Sequence, residues 1–307
     1  MDFLLCSDTG YFQHLLVTAY SILANHTEND INIHVFSNGI NDGCKHRLEE
    51  VVSFFPQARV FFYEIENIEK RLGRTVNVEL TINVYMRLFV TEFIPKSIKR
   101  ILYLDCDVIV KKNLSGLFAI NMNGCDIAAV QGTMDYTEGE LPHINSGVVL
   151  FDLEKCREKD SLNRYISIIE EYNGKLRFHD QTVLFEAHKG HIMYLDLCYN
   201  VTTPIRYLSY RRICQFYGIK DYYTEEIYKK AKSDPAIVHM TSWVFGRPWQ
   251  EKSHHPNQKE YIDILEKIGG GFTLSPVSCN SRWWVYLIAY KYCPMIILRI
   301  MRRLKSK

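Results

Sequence analysis

Ile101-Leu102-Tyr103-Leu104-Asp105-Cys106-Asp107 is the stretch from which the rest of the chain can be read. Four apolar residues follow one another without alternation, the pattern of a strand covered on both faces in a parallel sheet. In an extended segment the side chains at i and i+2 point the same way, so Asp105 and Asp107 project together from the strand's carboxyl end. Adjacent like charges are costly unless a cation lies between them, and hard oxygens suit Mg²⁺ or Mn²⁺. The competing reading of the same tripeptide is a solvated Asp-x-Asp in a surface loop.

The flanking sequence supports a sheet. Phe3 to Cys6, Ile31 to Phe36 and Arg59 to Ile65 are strand candidates, and Ile127 to Val130 and Val148 to Phe151 read as further strands with helices after each. Leu15, Leu16, Ala19, Ile22 and Leu23 recur at helical spacing, as do Leu48, Val51, Val52 and Phe55 behind a cap at Asn41 or Asp42. Thr81 can cap a helix running to about Phe93, stopped by Pro95. Such alternation predicts an α/β fold with right-handed crossovers, in which ligands gather beyond the carboxyl ends of the strands. Gly269-Gly270-Gly271 is the first plausible boundary, dividing a body of residues 1–268 from an end of residues 269–307.

The 307 residues are 47% hydrophobic and 23% charged, which excludes a disordered tail and a small disulfide-stapled scaffold. The formal net charge of +2 conceals an asymmetry. After Glu266 there is no acidic residue, and eight Lys and Arg follow, which leaves residues 1–266 at −6. The nine cysteines are odd in number and scattered without a CxxC pair, favouring a reduced, cytoplasmic compartment. The N-terminus has no signal-peptide pattern.

Three segments gain meaning beside the aspartates. Asn145-Ser146-Gly147 precedes the apolar run Val148-Val149-Leu150-Phe151, and Phe178-His179-Asp180-Gln181 precedes a helix. His239, after Ala236-Ile237-Val238, is followed by Gly246-Arg247-Pro248-Trp249. In this order, with the Asp-x-Asp, they resemble family 8 of the retaining glycosyltransferases over roughly residues 1–250. The nearest look-alikes are bacterial galactosyl- and glucosyltransferases that extend lipopolysaccharide-type glycans. The resemblance implies a single nucleotide-sugar-binding domain of GT-A type, with a mixed, mainly parallel central sheet and a basic, aromatic C-terminal helical extension.

Roles follow from that resemblance position by position. Asp105 and Asp107 match the metal-binding Asp-x-Asp, with Cys106 between them and His239 as the third ligand of Mn²⁺ or Mg²⁺. That metal would bridge the diphosphate of UDP-galactose or UDP-glucose and assist departure of UDP. Cys6, Asp8 and Tyr11 fall where uracil and ribose are held, and Arg87 matches a helix arginine facing sugar and diphosphate. Asn145, Ser146 and Asp180 match the region that grips the donor sugar, and Gln181 lies beside the anomeric carbon. Gly246 and Arg247 match a diphosphate-holding loop. Retention can proceed through a covalent glycosyl-enzyme, with Asp180 as candidate nucleophile, or by front-face attack with Gln181 stabilising positive charge.

The chain departs from the family pattern in places. Gly10 stands where relatives often carry Asn, Arg247 replaces a usual Lys, and the segment between His239 and Pro248 is longer than usual. The region from Gly132 to His143, which in relatives helps form the acceptor site, is short. Arg206, Arg211 and Arg212 form a basic cluster that either lines the acceptor side or is a solvated loop.

From Arg282 onward, Trp283, Trp284, Tyr286, Tyr290 and Tyr292 supply interfacial rings, and Ile296, Ile297, Leu298, Ile300 and Met301 supply apolar surface among basic residues. Lys291, Pro294 and Arg299 disfavour a membrane span, so peripheral attachment to an anionic cytoplasmic membrane surface is expected. A C-terminal helix packed on the body is the alternative, and the acidic body argues against nucleic acid as partner. The whole reading is a UDP-hexose transferase acting on a glycan acceptor, lipid-linked at the membrane. Its competitors are a metal-dependent nucleotidyltransferase and a non-catalytic nucleotide- or glycan-binding module.

Overall fold

The computed structural model describes residues 1–73, 82–133, 143–219, 221–242, 246–276, 283–295 and 297–298. Thr81, most of the Gly132–His143 stretch, three residues of the loop after His239, and the side chains of Trp283, Trp284 and Tyr286 lie outside the described residues, as do Ile296, Ile300 and Met301. The ten strands among them are β1 (Asp2–Ser7), β2 (Ile31–Ser37), β3 (Ala58–Glu64), β4 (Arg100–Leu104), β5 (Val108–Val110), β6 (Ile127–Gln131), β7 (Ile144–Asp152), β8 (Ile192–Tyr194), β9 (Val201–Thr202) and β10 (Ile237–His239).

Seven of these form one sheet in the order β3-β2-β1-β4-β7-β6-β8. All its pairings are parallel except those of β7, which runs against both β4 and β6. The expected mixed, mainly parallel α/β sheet is therefore present. An antiparallel neighbour needs no crossover helix. Accordingly β7 pairs directly with β6; the helix expected between them falls on residues 134–142, which lie outside the described residues. A smaller sheet, β5-β10-β9, stands beside the large one.

The uninterrupted apolar run of β4 has its expected cause. Leu102 and Leu104 belong to a core cluster shared with the helix Phe12–Ala24, while Ile101 and Tyr103 belong to a second cluster with the helices Ser161–Glu171 and His179–His188. Both faces of the strand are dry, so alternation would have put polar groups in a core. Asn41 caps the helix Asp42–Ser53, its side chain accepting from Cys44 N at 2.8 Å. The helix expected up to Phe93 is mostly a 3₁₀ helix, Ile82–Phe89, continued by one α turn, Val90–Phe93.

At the far end, Arg47 donates to the carbonyls of Ile268 and Gly269 and closes the helix Gln258–Ile268. The helix Trp283–Tyr292 lies against the helix Tyr210–Tyr217, where Phe216 meets Tyr290 edge-on at 5.2 Å and Met295 and Leu298 are buried. Its outward face carries Val285, Ile288 and Tyr292, all exposed. Arg206 donates to the carbonyl of Lys232, and Arg212 to those of Tyr290 and Cys293. Two of the three basic-cluster arginines thus bind carbonyls that fix helix ends. No helix among the described residues is long and apolar enough to cross a membrane.

Candidate active site

The site is assembled where the two sheets meet. β4 ends at Leu104 and β5 starts at Val108, so Asp105 and Asp107 sit in the turn that carries the chain from one sheet to the other. They do not continue the strand, as simple alternation would have it. The turn is pinned at both ends: Asp105 N donates to the Gly147 carbonyl at 2.8 Å, and Met240 N donates to the Asp107 carbonyl at 2.8 Å. The reversed direction of β7 matters here. It brings the start of that strand, Asn145-Ser146-Gly147, beside the carboxyl end of β4. β10, antiparallel to β5, ends at His239 opposite Val108.

These three returns of the chain converge on one point. His239 Nε2 lies 3.0 Å from Asp107 Oδ1 and 3.6 Å from Asp105 Oδ2, and one donor atom of each residue falls within 4.8 Å of the others. A β-carbon on Gly147 would stand 2.3 Å from His239 Cε1 and 2.8 Å from Asp105 Oδ2, so only glycine admits this approach. Two oxygens and an imidazole nitrogen suit Mn²⁺ or Mg²⁺, and the residues present fit such an ion. Burial alone would raise the Asp107 carboxyl, but His239 and Arg247 outweigh it and hold it well below the carboxylate range. Burial alone would lower the His239 imidazole; the two aspartates raise it instead. The aspartates thus recruit positive charge from the protein itself, which a divalent cation would supply more strongly.

Arg247 is the second such charge. It donates to Asp107 Oδ2 and, at 2.9 Å, to the Met240 carbonyl, with its guanidinium 5.2 Å above the Trp249 ring. Gly246 begins this loop at φ 75°, in the left-handed region glycine favours. Trp249 stacks on His14 at 3.8 Å, and Tyr11 packs edge-on against both. Burial pushes the His14 imidazole down to about 4, so it is neutral at physiological pH.

A cleft of about 510 Å³ runs from these aspartates to Asp8, bounded by Cys6, Tyr11 and Arg87. Asp8 does what its position before a turn predicts, capping the 3₁₀ turn Thr9–Tyr11 through Oδ1 to Tyr11 N at 2.9 Å. Its other oxygen accepts from Asn83 Nδ2 at 2.5 Å. Cys6 lines the cleft, and its carbonyl accepts from the Cys106 thiol at 3.2 Å. Burial pushes both thiols up, so neither is an activated nucleophile.

Arg87 is a buried hub. It donates to Asp105 Oδ1 at 2.9 Å and to the Ser146 carbonyl at 2.8 Å, and its Nε lies 3.2 Å from Asp180 Oδ2. Its guanidinium lies 4.0 Å above the Tyr103 ring, and the Tyr103 hydroxyl donates to Asp105 Oδ1 at 2.5 Å. Asp180 and Gln181 are in the first turn of the helix His179–His188, which starts at His179 and not after Gln181 as expected. Ser146 holds both: its hydroxyl donates to Asp180 at 3.4 Å and its N–H to Gln181 Oε1 at 3.1 Å. Burial pushes the Asp180 carboxyl up to about 6 despite Arg87 beside it.

Of the predicted residues, Cys6, Asp8, Tyr11, Arg87, Asp105, Cys106, Asp107 and Arg247 line the cleft, while Ser146, Asp180 and His239 touch its lining side chains or carboxylates from behind and Gln181 is held by Ser146. Asn83, which holds Asp8, and Tyr103, which holds Asp105, were not among the predicted residues. Gly147 had no predicted role, although a glycine inside a strand signals a close approach. Asn83, four positions before Arg87, stands out only once Asp8 is seen to need a partner.

Comparison with known proteins places the chain. Residues 3–253 match the family model "Glycosyl transferase family 8". General stress protein A of Bacillus subtilis (strain 168) is 27% identical over 277 residues, 86% of this chain and 93% of that protein. Lipopolysaccharide 1,2-glucosyltransferase of Escherichia coli (strain K12) is 25% identical over 270 residues, 84% and 75% of the two chains. In structure, galactosyltransferase LgtC, solved in complex with donor and acceptor sugar analogs, superposes with a TM-score of 0.71 at 21% identity over 89% of this chain and 98% of its own. The sheet and its topology are those of the GT-A type, and with the family model spanning residues 3–253 the chain belongs to glycosyltransferase family 8.

Proposed function

We propose that the protein is a retaining hexosyltransferase, moving glucose or galactose from a UDP-sugar to a glycan acceptor with metal-assisted departure of UDP. The observation that carries this is the convergence of Asp105, Asp107 and His239 beside a cleft that Asp8 and Tyr11 also line. That layout suits a nucleoside diphosphate sugar, with base and ribose toward Asp8 and diphosphate toward the aspartates. The names of two relatives, a glucosyltransferase and a galactosyltransferase, support a hexose. A divalent ion held by the three residues would act as a Lewis acid on the diphosphate.

The remaining work falls to side chains. Arg247, already beside Asp107, is within reach of diphosphate oxygens. Asp180 and Asn145 supply acceptor and donor groups to sugar hydroxyls. Gln181, held by Ser146 N–H, would stabilise the positive charge that develops at the anomeric carbon. Front-face attack is favoured: the bond to UDP breaks, the acceptor oxygen bonds the same face, and its proton passes to the departing phosphate. Asp180 is the lesser candidate for a nucleophile, being buried against Arg87 and pushed up to about 6.

Residues 1–268 would form the catalytic part and residues 269–307 the attachment. The exposed Val285, Ile288 and Tyr292, set in a segment with no acidic residue, support peripheral binding to an anionic membrane on the cytoplasmic side, where a lipid-linked acceptor would be met. The test is a screen of UDP-sugars with Mn²⁺ and a glycan panel, reading released UDP and the anomeric configuration of product. Loss of turnover in Asp105→Ala, His239→Ala and EDTA is expected. Released pyrophosphate would mark nucleotidyl transfer, absence of UDP release with every donor would mark a binding module, and either would overturn the proposal.

A further inference from the structure

Asn200 is almost wholly buried, at 1% exposure, and lies just before β9. The pairing of β9 with β10 sets Thr202 opposite His239, which delivers the Asn200 side chain to the His239 ring. Asn200 Oδ1 and His239 Nδ1 are 2.9 Å apart, and Asn200 Nδ2 donates to Asn145 Oδ1 at 2.8 Å. Asn145 Oδ1 also accepts from Gly147 N at 3.1 Å. The direction of this relay is forced. Asn145 presents its oxygen, so Asn200 must present its NH₂ there and its oxygen to the imidazole. The hydrogen on Nδ1 is thereby committed, and Nε2 is the nitrogen left facing Asp105 and Asp107.

We infer that Asn200 is a positioning residue that fixes the tautomer and ring orientation of His239 for a divalent cation and ties that imidazole to Asn145. The second half follows from the same atoms. With Oδ1 engaged by two donors, Asn145 offers only its NH₂ to a ligand, so a sugar hydroxyl there must act as acceptor. One amide thus connects the candidate cation site with the candidate sugar contact. This rests on the metal and donor reading proposed above.

Two substitutions separate the halves. Asn200→Ala removes both bonds; Asn200→Asp keeps an acceptor for Nδ1–H but cannot donate to Asn145. Mn²⁺ binding to nucleotide-free protein, followed by the free-ion EPR signal, should weaken on the order of 10–100-fold in Asn200→Ala. In Asn200→Asp it should stay within about threefold of wild type, while the KM for the UDP-sugar rises. Equal Mn²⁺ affinity in wild type and Asn200→Ala would overturn the inference, as would equal losses in both variants. Should Asn200→Ala fail to fold, long-range ¹H–¹⁵N spectra of the Mg²⁺-loaded wild type decide instead. An Nδ1-bound hydrogen on the ring that vanishes in His239→Gln supports the relay, and a hydrogen-free Nδ1 refutes it. A wild type that binds no Mn²⁺ refutes the metal reading itself.

Discussion

Gly147 and His239 are packed so closely that a methyl group on the first would overlap the second, at 2.3 Å from Cε1. The same methyl would press on Asp105 Oδ2. Gly147→Ala should therefore displace the imidazole rather than a distant loop, and lower Mn²⁺ affinity on the order of 10–100-fold. The strand is paired on both sides, so the variant should still unfold cooperatively. Calorimetry of Mn²⁺ binding checks this; unchanged affinity would mean that the three donor atoms do not act together.

Arg247 competes for the carboxylate that a cation needs. Removing it leaves Asp107 without its guanidinium partner, so Arg247→Ala should bind Mn²⁺ more tightly than wild type in the absence of nucleotide, by roughly tenfold. UDP affinity should fall at the same time, because the diphosphate loses a donor. Arg247→Lys should restore part of the UDP affinity. Titrations of Mn²⁺ and UDP, each alone, read both effects.

The Asp180 carboxyl is raised from 3.8 to about 6 by burial. Across that window the folded chain retains a proton that the unfolded chain has released, so the wild type loses stability as pH rises through it. Asp180→Asn has no such dependence. The melting temperature of the variant minus that of wild type should therefore increase from pH 4 to pH 6, by at least about 2 °C, and level off above. A flat difference across that range contradicts the buried, raised carboxyl.

Val285 and Ile288 face solvent at 43% and 51% exposure. Val285→Asp with Ile288→Asp should leave thermal stability within about 0.5 kcal/mol, because exposed positions carry little packing. Cosedimentation with anionic vesicles should drop at least severalfold, with UDP release from soluble substrates unchanged. Vesicle binding equal to wild type would assign the attachment elsewhere.

Much of this architecture was legible in a few residues, for physical reasons. The unbroken apolar run Ile101–Leu104 implied cover on both faces, and Leu102 and Tyr103 do face different cores. The two aspartates pointed to a candidate cation site because like charges at such spacing are costly without positive charge beside them. What stayed hidden depends on direction and on absent atoms. Nothing in Val148–Phe151 reveals that β7 runs backwards, since a doubly buried strand reads the same either way. Asn200 carries no periodic or spacing signal, because strand pairing, not sequence proximity, brings it to His239. The arginines of the 206–212 cluster could equally line an acceptor side or sit in a solvated loop, and only the carbonyls that Arg206 and Arg212 meet show that these two fix helix ends.

β10 is three residues long and lies between β5 and β9, bonded to both. It is the only one of the candidate ligand-bearing segments held by the smaller sheet alone, and it comes more than a hundred residues after the aspartates. During synthesis both carboxylates leave the ribosome long before the imidazole that completes their set. On partial unfolding the order reverses: a chain that lets β10 slip from between its neighbours keeps its large sheet and loses its third ligand. Capacity to hold a cation would then vanish at a milder stress than the fold itself, and a cation held there would fasten β10 as well as serve the proposed chemistry.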